Sequence, residues 1–379
     1  MIYNCPTCTA ALRFNPTMNK MECISCGNIY EVDELTSKTE PVEETMECNI
    51  YSCTACGAEL AVNGVESSTF CAYCGQPTIV FNRVSSELKP RYIIPFSIPK
   101  EQAVNSIRTH LSKGFFVPAE IKDFEVERVR GIYIPFWLYD IAYSDRQCLR
   151  GKVGSGKHSV TKYFYREAEC TFRNLTLDAS MQLSDESSQR LEPYNMSALT
   201  DFDTGYLSGF YADCYDAKTK DIELLAVSRT KDLFNKEVFK TVNARNIQLE
   251  SSNPKYKILK SEYAMFPAWF LTFRYQNEPY TILVNGQTGK VIGAVPYNKK
   301  KVTSFFTILA IISSFAATFF SYGLITGTRD ISKIVICLLM GALLMFTGGT
   351  GQFAKVKRSI SLSKSSTMNH FVKDRQEGI

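Results

Sequence analysis

At 379 residues, 45% of them hydrophobic and 12% aromatic, the chain carries too much apolar material to lack a core and enough for two or three domains. Its formal net charge of +5 hides an asymmetry, because residues 1–89 hold eleven acids and five bases, a net of −6. Phosphate binding needs a cationic surface that releases counterions, so the charge of the N-terminal part argues against a nucleic-acid reader and for a protein partner.

The chain opens Met1-Ile2-Tyr3-Asn4-Cys5, without the basic and apolar regions of a secretory signal. Cys5-Pro6-Thr7-Cys8 and Cys23-Ile24-Ser25-Cys26-Gly27 then recur 48 positions later as Cys53-Thr54-Ala55-Cys56-Gly57 and Cys71-Ala72-Tyr73-Cys74-Gly75, with fourteen residues between the pairs in both copies. This repeat predicts two zinc ribbons, over residues 1–40 and 46–85, with Cys5, Cys8, Cys23 and Cys26 holding one Zn²⁺ and Cys53, Cys56, Cys71 and Cys74 the other. Two residues between paired cysteines let both sulfurs reach one ion about 2.3 Å away, and glycine after the second cysteine tolerates the tight turn. Four thiolates close the coordination shell and leave no position for water or substrate, so both sites read as structural. Each segment has too few apolar residues to fold alone, and the metal would supply most of its folding free energy. Thirteen cysteines, an odd number, in C-x-x-C pairs argue against a disulfide framework and for a reducing, cytosolic compartment. Cys48, five residues before the second ribbon, could in principle compete for its metal, but it reads, like Cys148, Cys170, Cys214 and Cys337, as an ordinary thiol.

Residues 90–298 have globular composition and predict an α+β domain with mostly antiparallel pairing. Ala103, Val104, Ile107 and Leu111 share one face of a helix over Lys100 to Lys113, and Ile222, Leu225, Leu233, Val238 and Val242 mark another within Thr219 to Val242. Strands are predicted at Val160 to Tyr165 and at Thr281 to Val284, the latter followed by the turn signal Asn285-Gly286 and a return through Val291-Ile292. Ile134-Pro135-Phe136-Trp137 and Phe266-Pro267-Ala268-Trp269 match with a shift of 132. Two similar β units could produce the match, but the simpler account is a proline that starts an edge strand whose alternate residues are core aromatics. Gly151-Lys152-Val153-Gly154-Ser155-Gly156-Lys157-His158 imitates a phosphate-binding loop. It has His158 where Ser or Thr should hold Mg²⁺, and a strand follows where a helix should open, so a glycine-rich hairpin connection is expected. The three histidines, His110, His158 and His370, lie in unrelated contexts, and no catalytic constellation is visible.

Val302 to Tyr322 is free of charge, and after the connector Gly323 to Asp330 comes the mostly apolar stretch Ile331 to Thr347. Together they predict a transmembrane helical hairpin over 299–350. Lys299, Lys300 and Lys301 before it, and Lys355, Lys357 and Arg358 after it, put both termini in the cytoplasm. A basic tail, 351–379, follows and would lie against anionic headgroups or in solvent. The expected fold class is thus multidomain, with two small β ribbons, a central α+β domain and a membrane hairpin.

The paired ribbons, the segments Gly131 to Asp140 and Tyr206 to Asp216, and the C-terminal hydrophobic stretches resemble bacterial membrane-anchored proteins with TFIIB-type zinc ribbons, some associated with phage-shock protein A in envelope-stress systems. Relatives sometimes carry a primosomal-helicase label, but no helicase motor is present in this sequence. The resemblance implies a membrane-bound adaptor, not an enzyme, whose ribbons dock protein partners of the phage-shock protein A type or other membrane-stress proteins. A membrane-tethered nucleic-acid-binding regulator is the alternative.

Overall fold

A computed structural model describes residues 3–35, 45–55, 57–62, 71, 73, 79–112, 116–154, 158–180, 185–213, 219–276, 278–293 and 295–325. The N-terminal third supplies β1 (Leu12–Asn15), β2 (Lys20–Cys23), β3 (Ile29–Tyr30), α1 (Val32–Leu35), β4 (Thr45–Cys53), β5 (Glu59–Val62), β6 (Ile79–Leu88), β7 (Tyr92–Ile93), α2 (Lys100–Ser112) and α3 (Ala119–Lys122). Then come β8 (Val129–Val153), β9 (Val160–Asp178), α4 (Asp185–Leu191), β10 (Thr200–Asp201), β11 (Tyr211–Asp213), α5 (Thr219–Lys240), β12 (Arg245–Tyr275), β13 (Glu278–Asn285), β14 (Val291–Ile292) and α6 (Lys299–Ile325).

Strands dominate, and they correct the expected fold class. β1-β2-β3 form a small antiparallel sheet, but β4, β5 and β6, which were expected as part of a separate second ribbon, belong to one eleven-stranded sheet ordered β10-β7-β12-β8-β11-β5-β4-β6, with β9, β13 and β14 off that path. β5 joins it through β11, where Tyr211 faces Val62 and Asp213 faces Leu60. The sheet is mixed, since β11 runs parallel to β8 and β7 parallel to β12. The physical reason is burial: Leu60, Ala61, Tyr211 and Ala212 are all buried, and a free-standing ribbon would leave that apolar edge in water.

β8 and β12 are the spine, antiparallel to each other over most of their length. Pro135 and Pro267 sit inside these central strands and not at an edge, correcting the expectation. Each lies where its strand changes neighbour. β8 pairs with β11 at Ile132 and Tyr133 and with β9 from Phe136 onward, while β12 pairs with β7 at Ala264 and Met265 and with β13 from Ala268 onward. At such a gap no ladder N–H is required, which is what proline lacks. The 132-residue correspondence is therefore a repeated device in which a parallel partner, a proline and a hairpin partner follow in order.

α2 lays Ala103, Val104, Ile107 and Leu111 on the core, as its periodicity predicts. α5 buries Ile222, Ala226, Thr230, Phe234 and Val238, every fourth residue, against the β8–β9 arm. Below α5, Arg229 bridges Glu192 at 2.8 Å and donates to the Thr176 carbonyl at 2.6 Å, with both charged side chains 19% exposed. Arg229→Ala leaves a largely buried carboxylate without its cation and is expected to destabilise the chain by about 3 kcal/mol in thermal or urea melts.

The first apolar C-terminal segment is helical as α6, whose base is tied down by the Asn298 amide donating to the Phe116 carbonyl and by Phe305 meeting Phe116 edge-on at 5.5 Å. Among the described residues, however, no helix is long and apolar enough to cross a membrane. This overturns the transmembrane hairpin and the integral membrane location expected from the sequence. The charge-free stretch is diluted by Thr303, Ser304, Thr307, Ser313 and Ser314, and absence of charge does not by itself make a spanning helix. The second segment and the basic tail lie outside the described residues.

Candidate metal centre

The first ribbon assembles its cage with two matching turns. Cys5 N donates to the Ala10 carbonyl and Thr9 N to that of Cys5; Cys23 N donates to Asn28 and Gly27 N to Cys23. The residue four past each leading cysteine adopts positive φ, +59° at Thr9 and +74° at Gly27, so glycine is the low-strain choice and the threonine is the exception. The β1–β2 hairpin, with Leu12 opposite Cys23, folds the second turn back onto the first.

The result brings together Cys5, Cys8, Cys23 and Cys26, whose sulfurs all lie within 4.8 Å of one another. Cys5 and Cys26 are 3.6 Å apart and Cys8 and Cys23 3.5 Å. Sulfurs about 2.3 Å from a common tetrahedral ion stand about 3.8 Å from each other, whereas a disulfide needs about 2.05 Å, so the spacing fits a shared metal ion and not a bond between thiols. Cys5 and Cys23 are buried and Cys26 is exposed.

Residues that spacing did not reveal surround the cage. Tyr30 Oη is 3.3 Å from Cys5 Sγ and 2.8 Å from Thr7 Oγ1, and Asn28 Nδ2 donates to that Thr7 hydroxyl at 3.0 Å. Burial pushes the Cys5 thiol up, but the Tyr30 hydroxyl and the Cys8 and Thr7 amides outweigh it and bring it down to about 6. Cys26 goes the other way. The Asn28 amide lowers it, yet desolvation and the neighbouring thiols carry it to about 12. In the metal-free chain the cage thus favours one early thiolate and resists the last, and a cation is what would make all four ionise.

Of the second set, Cys53 and Cys71 are buried, while Cys56 and Cys74 lie outside the described residues. Cys53 repeats both backbone hydrogen bonds of the turn, since its amide donates to Ala58 and Gly57 N donates to the Cys53 carbonyl, and Gly57 has φ +72°. Tyr73, in the same cluster, has its phenol held well above the usual range by burial and by the Asp213 carboxylate. Cys48 is buried within β4, where burial and Glu87 raise its thiol to about 11, a poor competitor for metal.

The phosphate-loop look-alike lies between β8 and antiparallel β9, with Val153 opposite Val160, so a strand follows it as expected, while residues 155–157 lie outside the described residues. No family model matches the chain. It is 28% identical over 324 residues to a Bacillus subtilis (strain 168) protein named "Uncharacterized protein YdjG", an alignment that covers 81% of this chain and 94% of that one. No solved structure matches.

Proposed function

We propose that this chain is a zinc-ribbon scaffold that docks protein partners, with Zn²⁺ in the Cys5, Cys8, Cys23, Cys26 cage and a second Zn²⁺ on Cys53, Cys56, Cys71 and Cys74. The observation that carries the reading is the four-sulfur cage: every tetrahedral position is taken by protein, so the ion holds a surface in shape and has no open position for chemistry. The repeated hydrogen bonds of the turn at Cys53 support the second ion. Around the first cage the exposed surface is acidic, with Asp33 and Glu34 free of ion pairs among the described residues and Glu31 bonded to Lys20. Two thiolate cages add net negative charge, so a partner with a basic face is favoured and encounter should weaken with salt. By the family resemblance that partner is a phage-shock protein A homologue. Titration of such a purified homologue with the zinc-loaded chain tests this. Binding should weaken on Cys5→Ser and on Asp33→Lys with Glu34→Lys, and affinity unchanged by both would remove the ribbon from the mechanism.

A further inference from the structure

Beyond the core, β8, β9 and the first half of β12 continue as a three-stranded arm. Its odd-numbered β8 residues, Tyr143 to Gly151, are buried, with α5 packed along that face. Among the described residues no element packs on the opposite face, where Arg150, Thr161, Tyr163, Tyr165 and Arg245 are exposed. Register places Tyr165 across from Cys148, Tyr163 across from Arg150, and Thr161 and Arg245 on either side of Lys152, so these side chains share the open face.

Two features of this face are unusual. Tyr163 and Tyr165 are 58% and 77% exposed and make no ring contact among the described residues. They stand two positions apart on one strand, about 6.6 Å. The distal half of this face is also cationic: beyond the Arg146–Glu167 ion pair, register places Arg150, Lys152 and Arg245 on it beside the tyrosines, with Glu250 the one acid near them among the described residues. Glu250 is engaged by Arg150 at 2.6 Å. Lys152 and Arg245 are left directly opposite each other without an acidic partner among the described residues, a like-charge pairing that costs stability unless an anion lies across it.

We propose that the open face of this arm binds single-stranded nucleic acid, with bases stacking on Tyr163 and Tyr165 and phosphates meeting Lys152 and Arg245. Paired aromatic faces beside a cationic track are what sequence-tolerant single-strand binding requires, because every base has a π-face and every linkage a charge. An acidic protein would use the cations but would have no need of two bare tyrosines in register. The surface is separate from the acidic ribbons.

The test uses the full zinc-loaded chain and a fluorescein-labelled oligothymidylate of about 15 nucleotides, read by anisotropy as salt is raised from about 50 mM. The intact chain should bind, with affinity falling by a log–log slope of at least about 1.4 for two phosphates on a single strand. Tyr163→Ala with Tyr165→Ala should weaken binding about 30-fold or more at unchanged slope, and Tyr163→Phe with Tyr165→Phe should retain it. Lys152→Ser with Arg245→Ser should weaken binding and flatten the slope by about 1.4. Unchanged zinc content and circular dichroism would show that the variants fold. No anisotropy change at low salt overturns the proposal, as does wild-type affinity in the double-alanine variant. Competition by polyglutamate at equal charge concentration, undiminished in that variant, assigns the arm to an acidic protein and also overturns it.

Discussion

Serine in place of Cys5 is expected to cost the chain one zinc ion and to loosen the first ribbon while leaving the large sheet folded. Cys5 is a buried member of the cage, and removing one thiolate leaves three sulfurs and a hydroxyl that is not ionised near neutral pH. Structural zinc contributes about 10–16 kcal/mol of apparent binding free energy in ribbon-sized units, far more than the short strands β1, β2 and β3 could supply from burial alone. Hydrogen exchange should therefore accelerate across residues 12–30, whereas the β8 and β12 amides, paired within the eleven-stranded sheet, keep their protection. Cys53→Ser should reach further. Cys53 and Cys71 share a core cluster with Tyr73, Ile132, Tyr211 and Phe270, so on the proposed assignment of a second ion to this set its loss would open the β4–β5 hairpin and the β5–β11 pairing together. Full zinc content with unchanged exchange in Cys5→Ser would remove the metal from the account of this ribbon.

The contrast between these two variants also marks how far the sequence could be read. Cysteine spacing is local information, and it located the first cage, the turn at Cys53 and the glycines at positive φ. Helices α2 and α5 were legible for the same reason, since an apolar residue at every third or fourth position is visible within one segment. Pairing between distant segments is not. β5 meets β11 across about 150 residues of chain, and no pattern within Glu59 to Val62 says whether its edge faces water or another strand. Pro135 and Pro267 misled because proline is ordinarily an edge residue, and only the change of neighbour on each long strand explains how a central strand tolerates it. The Asn285-Gly286 turn was placed correctly but is longer than a two-residue turn. Its left-handed residue is Gly289 at +74°, and the Asn285 side chain accepts from the Gln287 and Thr288 amides. Val302 to Tyr322 misled in a different way, because composition alone reported hydrophobicity without saying what the helix does with it.

Phe210→Ala is expected to be the most damaging single substitution outside the cysteines, and its effect should appear at both ends of an aromatic chain. Phe210 is 5% exposed, stacks on Phe96 at 4.2 Å and 11°, and lies 5.8 Å from Tyr133 and 5.9 Å from Trp269. On its other side it lies 6.5 Å from Phe14 of β1, which also meets Tyr206 edge-on at 5.2 Å. Gly131 is glycine because a β-carbon there would stand 2.5 Å from the Phe210 ring, so the backbone of β8 is fitted to this side chain. Deleting a buried phenylalanine costs about 3–5 kcal/mol through lost transfer free energy and the cavity left behind. That corresponds to a midpoint lowered by roughly 10 °C in a domain of this size. The ribbon should respond as well. Phe14 loses one of its two ring partners, and the anchors that remain include the Phe14–Tyr206 ring contact, the Phe14 amide on the Ser208 carbonyl and the Tyr3 hydroxyl on Asp203. Zinc should stay bound in Phe210→Ala, because the cage is closed within residues 5–26, while exchange at β1 rises toward that of Cys5→Ser. Retained zinc together with a loosened β1 would separate the role proposed for the metal, shaping the ribbon, from that of the aromatic chain, holding the ribbon on the sheet. A melt indistinguishable from the parent chain would show that the ring stack is not what joins them.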